Sequence, residues 1–164
     1  MDTPPPDSTP QRSRFRRHPV RWTIVGLLAL FVLIQFIPYG RDYTNPKVNV
    51  TPEWPSAKVE ELATAACADC HSNTTEWPKK ARIAPASWLI KRDVDEGRSR
   101  LNWSEPCGEA GEAAEAVRGG EMPPLQYTLI HRNAKLSDKD KETLAAGLED
   151  ALSKIQMSEC SGGD

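Results

Sequence analysis

Residues 66–73 read ACADCHSN, and they hold the densest chemistry in the chain. Cys67 and Cys70 stand two residues apart, and His71 follows directly. One helical turn presents both sulfurs to one edge of a flat macrocycle, where thiols add across vinyl groups to form thioethers. The adjacent imidazole is then placed to give a ring nitrogen to a central iron. Cys67-Ala68-Asp69-Cys70-His71 thus carries the attachment pattern of a covalent c-type haem, one per chain, with His71 as fifth ligand. Two other chemistries use such a thiol pair. A Cys67–Cys70 disulfide would serve redox exchange but leaves His71 without a role. A zinc ion would recruit Cys107, Cys160 or His131, although the downstream spacing fits no zinc pattern.

A haem iron has six positions, so a second protein side chain is needed to fill the sixth. Met1 and His18 precede a long apolar run, and Met157 lies near the chain end. Met122 falls in GGEMPPLQY, 51 residues after His71. Glycines before it and prolines behind it predict a stiff, non-helical loop that fixes a thioether. An isolated Met is commonly core filler, but a position between Glu121 and Pro123 suits packing poorly. His131, in LIHRN, is the other candidate; an imidazole pair would give a lower potential than Met/His.

The elements around these residues read as helices. Ser56 is placed to cap a helix whose Val59, Leu62, Ala63 and Ala66 share one face, and that helix runs into the cysteines. PASWLIKRDVDEG predicts a second helix, stopped by Gly97. GEAGEAAEAVRGG predicts a third, stopped by Gly119 and Gly120. A last helix starts at Ser137 and runs to about Met157, with Leu144, Leu148, Ala151, Leu152 and Ile155 in one stripe. No segment reads as a strand. The expected fold is all-α, with long loops around one haem. Apolar side chains are sparse for such a domain, and a bulky prosthetic group would help complete its core.

The chain has 164 residues and a net charge of −2. Residues 1–21 hold five Arg against two Asp, which leaves 16 basic and 21 acidic residues in 22–164. The basic tip precedes WTIVGLLALFVLIQFI at 22–37, which argues for a membrane and against nucleic acid. Residues 20–39 would make a helix of about 30 Å, the bilayer core thickness, with Trp22 and Tyr39 at the interfaces. A cleaved signal peptide is the rival reading, but IPYGRD has no small-residue cleavage pattern. The arginines keep the N-terminus cytoplasmic and send the rest across a bacterial inner membrane to the periplasm. The expected divisions are a disordered tail at 1–19, a signal-anchor helix at 20–39, a linker at 40–55, a haem domain at 56–157 and a tail at 158–164. In that oxidising compartment Cys107 and Cys160 would pair as a disulfide, or Cys160 would cross-link two chains.

A helix ending in Cys-x-x-Cys-His, a Gly-x-Met-Pro loop and a C-terminal amphipathic helix resemble cytochrome c. Small bacterial haem-binding domain proteins are closer still. The shared stretches are CADCHSNTTEWP (67–78), IAPASWL (83–89), DEGRSRLNWSE (95–105) and GEMPPLQYTLIHRNAKLS (120–137). The resemblance implies covalent haem, proximal His71 and distal Met122. Lys79-Lys80 and Pro106-Cys107 depart from the family's pattern, so the haem edge there is expected to differ.

Secondary candidates surround this set. Trp77, Trp88 and Trp103 suit core packing, and an indole N–H, Arg98 or Asn102 is placed to meet a haem propionate. Lys79, Lys80 and Arg82 form a basic cluster that would steer an acidic redox partner or simply stay solvated. The leading expectation is a membrane-anchored electron carrier for membrane-associated partners, which makes and breaks no substrate bond. A sensor or peroxidase with an open iron position, with His131 and Arg132 as distal groups, is the alternative. A structural zinc module is the distant one.

Overall fold

The computed structural model describes residues 19–78, 82–105 and 110–159. The chain divides into two units, Met1–Pro38 and Tyr39–Asp164. In the first unit, α1 spans Pro19–Ile34, 16 residues with none buried. The helix expected over 20–39 therefore ends early. Gln35, Phe36 and Ile37 donate their amides to carbonyls three residues back, at 3.1, 3.1 and 3.3 Å, a tightened helix end. Pro38 explains the stop, because the residue before a proline is pushed out of the helical region. Among the described residues no helix is long and apolar enough to cross a membrane. The basic tail lies outside the described residues, except Pro19.

The second unit carries α2 (Ala57–Ala66), α3 (Ala68–His71), α4 (Ala86–Arg100), α5 (Ala110–Gly119), α6 (Leu125–Ile130), a 3-10 turn (Arg132–Ala134) and α7 (Asp138–Glu159). The described residues form helices and loops with no strand, as expected. Ser56 Oγ accepts from Val59 N at 3.3 Å and caps α2. Val59, Leu62, Ala63 and Ala66 are its buried face. Ser137 caps α7 reciprocally: its hydroxyl accepts from Asp140 N at 3.2 Å and donates to Asp140 Oδ2 at 2.6 Å. The stripe Leu144, Leu148, Ala151, Leu152 and Ile155 is buried throughout. It faces α5 and α2. Where α2 and α7 cross, a Cβ on Gly147 would run into the Val59 side chain, so the glycine permits the close approach.

Three features differ from expectation. Gly97 does not stop α4, which continues to Arg100. Its glycine is needed for packing instead: a Cβ there would sit 2.5 Å from the Cys70 carbonyl oxygen. Helix α6 and the turn after it were not foreseen, since their stretch is too short for a periodic signal. The segment read as a linker is extended but bound to the domain. Asn45 Nδ2 donates to Thr75 O at 2.9 Å, and Asn49 N and Val50 N donate to Ser104 O at 2.9 and 3.1 Å.

Candidate cofactor-binding site

The site begins where α2 hands over to α3. Cys67 leaves helical geometry at φ −130°, ending one helix and starting the next. Its carbonyl accepts from Cys70 N at 3.1 Å and His71 N at 2.9 Å, which closes the single turn holding both thiols. Both cysteines are free and half-buried. Burial pushes the Cys67 thiol up to about 12. Burial first, then Asp69 and Asp93, push Cys70 up to about 11. Among the described residues no three His, Cys, Asp or Glu side chains gather to hold a metal ion.

His71 Nδ1 lies 3.0 Å from Leu101 O. Burial lowers the imidazole's pKa, although the Leu101 and Gly97 carbonyls oppose this. A neutral ring that donates Nδ1–H to Leu101 keeps Nε2 as a lone pair, the state an iron requires. Leu101 follows directly from α4, and Gly97 lets that helix lie against Cys70. Trp103 N donates to His71 O at 3.0 Å, so the chain after α4 also tethers the ligand's backbone.

The loop leaving the motif is held just as closely. Asn73 N donates to Ser104 Oγ at 2.9 Å, and Asn73 Nδ2 donates to Lys47 O and Glu105 Oε1, both at 2.8 Å. Asn102 Nδ2 donates to Asn73 Oδ1 at 2.8 Å. Arg98 donates to Ser72 O at 2.9 Å, Thr75 Oγ1 at 2.9 Å and Asn45 Oδ1 at 3.0 Å. Arg98 and Asn102, candidates for a propionate or for solvent, are thus engaged in the protein's own scaffold. Trp77 Nε1 donates to Asn45 Oδ1 at 2.9 Å, and Trp103 is buried edge-on to Trp54 at 5.4 Å. Among the described residues, Trp88 Nε1 is buried with no hydrogen-bond partner. Arg82 lies 5.1 Å from the centre of the Tyr43 ring.

Met122 follows the end of α5. Gly120 takes φ +75°, Glu121 N donates to Ala116 O at 2.9 Å, and Gly120 N donates to Val117 O at 3.1 Å. This is a Schellman end, and Met122 N joins the same Ala116 carbonyl at 3.1 Å. The Met122 side chain is half-buried and packs on the same core cluster as Cys67 and Ala68. His131 stacks on Tyr127 with ring centres 4.1 Å apart, and its Nδ1 lies 3.3 Å from Tyr127 O. Cys107, Cys160, Lys79 and Lys80 lie outside the described residues.

The sequence reading missed Asp69, Gly97, Leu101 and Tyr127. A carboxylate at a free position of the motif was the one visible signal. The donor set fits a covalently attached haem: two reduced thiols on one turn, an oriented neutral imidazole and a half-buried thioether on the same cluster. A family model described as Haem-binding domain matches residues 29–150. No curated protein and no solved structure matches the chain.

Proposed function

The chain belongs to the haem-binding domain family, and from that premise we propose that it is a mono-haem c-type electron carrier, anchored at a bacterial inner membrane with its domain in the periplasm. The observation that carries this reading is the arrangement at the motif: two free thiols on one turn beside an imidazole whose Nδ1 is taken by Leu101 O. Each thiol would add across one vinyl group, its S–H bond and the vinyl π bond giving way to one C–S and one C–H bond, with no oxidant needed. Bound haem supplies a one-electron ferrous/ferric couple. Cys67 and Cys70 would hold the ring, His71 Nε2 would serve as one iron ligand and Met122 Sδ as the other. With His71 and Met122 both engaged, the protein would move electrons and alter no substrate bond.

The anchor rests on α1. From Ile24 to Ile34 it carries no polar side chain on any face, and Trp22, Leu27, Leu28, Leu30 and Leu33 are all more than half exposed. Its 16 residues span about 24 Å, and Phe36 and Ile37 extend the apolar run towards Tyr39. Tethering would confine the domain near membrane-associated redox partners and raise its effective concentration for them. Arg82 and the neighbouring lysines would steer an acidic partner.

The deciding experiment is an oxidised and reduced optical spectrum of protein expressed with haem-attachment machinery, beside a denaturing gel stained for haem. A haem-positive band, a sharp reduced α-band and a far-red Met-to-ferric-iron band are expected. High-spin features would instead give the site to a sensor or peroxidase. Absence of covalent haem would overturn the c-type reading. Membrane pellets should retain the full chain through carbonate washing and release it with detergent; release by carbonate alone would refute the anchor.

A further inference from the structure

The chemistry of attachment uses Cys67, Cys70 and His71, and asks nothing of the two residues between the cysteines. Yet Asp69, one of those two, is tied on three sides. Its Oδ1 accepts from Glu76 N at 2.9 Å, its backbone carbonyl accepts from Thr75 Oγ1 at 2.7 Å, and its Oδ2 accepts from Tyr127 Oη at 2.9 Å. The last bond joins segments 58 residues apart. Tyr127 Oη also lies 3.4 Å from Ala65 O, just ahead of the cysteines.

Tyr127 is five residues beyond Met122. The chain between them begins with Pro123 and Pro124, each with φ restricted by its ring. Tyr127 N donates to Pro124 O at 3.0 Å, so the second proline opens the turn that carries the tyrosine. There is little slack between the thioether and the phenol. On its other side Met122 is fixed to Ala116 O at the end of α5. The Met122 loop is therefore suspended between a helix end and a hydrogen bond to the thiol motif itself.

We propose that Tyr127 and Asp69 are a positioning pair: their hydrogen bond clamps the Met122 loop to the Cys67–His71 turn and keeps the thioether on the iron. This rests on the haem reading above. His131, stacked on the Tyr127 ring, braces the phenol. Tyr127 touches neither ligand in this scheme; it acts through the loop.

The test uses the haem-loaded full chain and its Tyr127→Phe variant, which removes one oxygen and keeps the ring. Covalent haem and the reduced α-band should be unchanged. The far-red Met-to-iron band should weaken, and ferric protein should bind imidazole about tenfold more tightly, since a charge-assisted bond that favoured Met122 is gone. Asp69→Ala should reproduce the effect, Asp69→Asn should recover part of it by accepting from Tyr127, and the double variant should show no further gain. Leu152→Val, a core trim in α7, should lower thermal stability while leaving imidazole affinity at the parent value. A parent without the far-red band would overturn both the Met122 assignment and the clamp. A parent with the band, and a Tyr127→Phe variant within twofold of it in imidazole affinity, would overturn the clamp alone.

Discussion

On the His71 side, Leu101 O, Trp103 N, Ser104 Oγ, Arg98 and Gly97 all converge on the motif and the loop leaving it. On the Met122 side, the loop hangs from Ala116 O at one end and the Tyr127–Asp69 bond at the other. His71 is embedded in a polar scaffold that reaches back to Asn45; Met122 sits on a short bridge. The contrast suggests a division of labour. The His71 side supplies rigidity, and under the proposed ligation the Met122 loop would decide what occupies the sixth position.

The hardest blow to the proximal face is Gly97→Ala. The new Cβ would meet Cys70 backbone, which has no flexible end to swing away. A loss of about 3 kcal/mol in denaturant unfolding is expected. Gly147→Ala, which meets the Val59 side chain, should cost less, about 1–2 kcal/mol. Equal losses would mean that the α4 crossing is no tighter than the α2–α7 crossing.

Arg98→Ala comes next. It removes the donor to Ser72 O, Thr75 Oγ1 and Asn45 Oδ1, and should lower stability by about 2 kcal/mol. Thermal unfolding within a degree of the parent would show the scaffold to be redundant.

Alkaline pH separates the two faces without mutation. Before haem is attached, both thiols hold their protons more tightly folded than unfolded. Stability is then complete below the ordinary thiol value of 9.0 and falls as pH rises towards about 11 and 12. Thioethers do not titrate, so the loss should vanish in the haem-loaded protein. Melting temperatures of the two forms from pH 8 to 11 test this; parallel curves would show that the thiols do not carry it.

The smallest effect on stability should come from Met122→Ala. The side chain is only half-buried, so about 1 kcal/mol is expected. Its spectroscopic effect should be the opposite: the far-red band disappears and the potential falls. An unchanged spectrum would give the sixth position to another group, with His131 first to test.

Much of the helical layout was legible because its signals are local. Ser56 and Ser137 cap their helices with hydroxyls that reach amides three residues on. The α7 stripe follows from helical period, and Gly120 ends α5 because the left-handed conformation suits glycine. Gly97 shows where such reading fails. The same residue type that stops α5 continues α4, since its smallness serves Cys70 and not a turn. The stretch read as an extended linker carries a further feature the chain does not spell out: its bonds run to Thr75 and Ser104.

By itself, the sequence determined the cysteine–histidine turn, the caps and the apolar stripe. Each depends on groups a few positions apart, which the chain's own geometry brings together. Tertiary structure alone decided that Leu101 orients His71, that Gly97 seats α4 on Cys70 and that Tyr127 reaches Asp69. Those contacts join residues 27 to 58 positions apart. Their distances follow from how side-chain volumes pack, and no spacing along the chain encodes that packing.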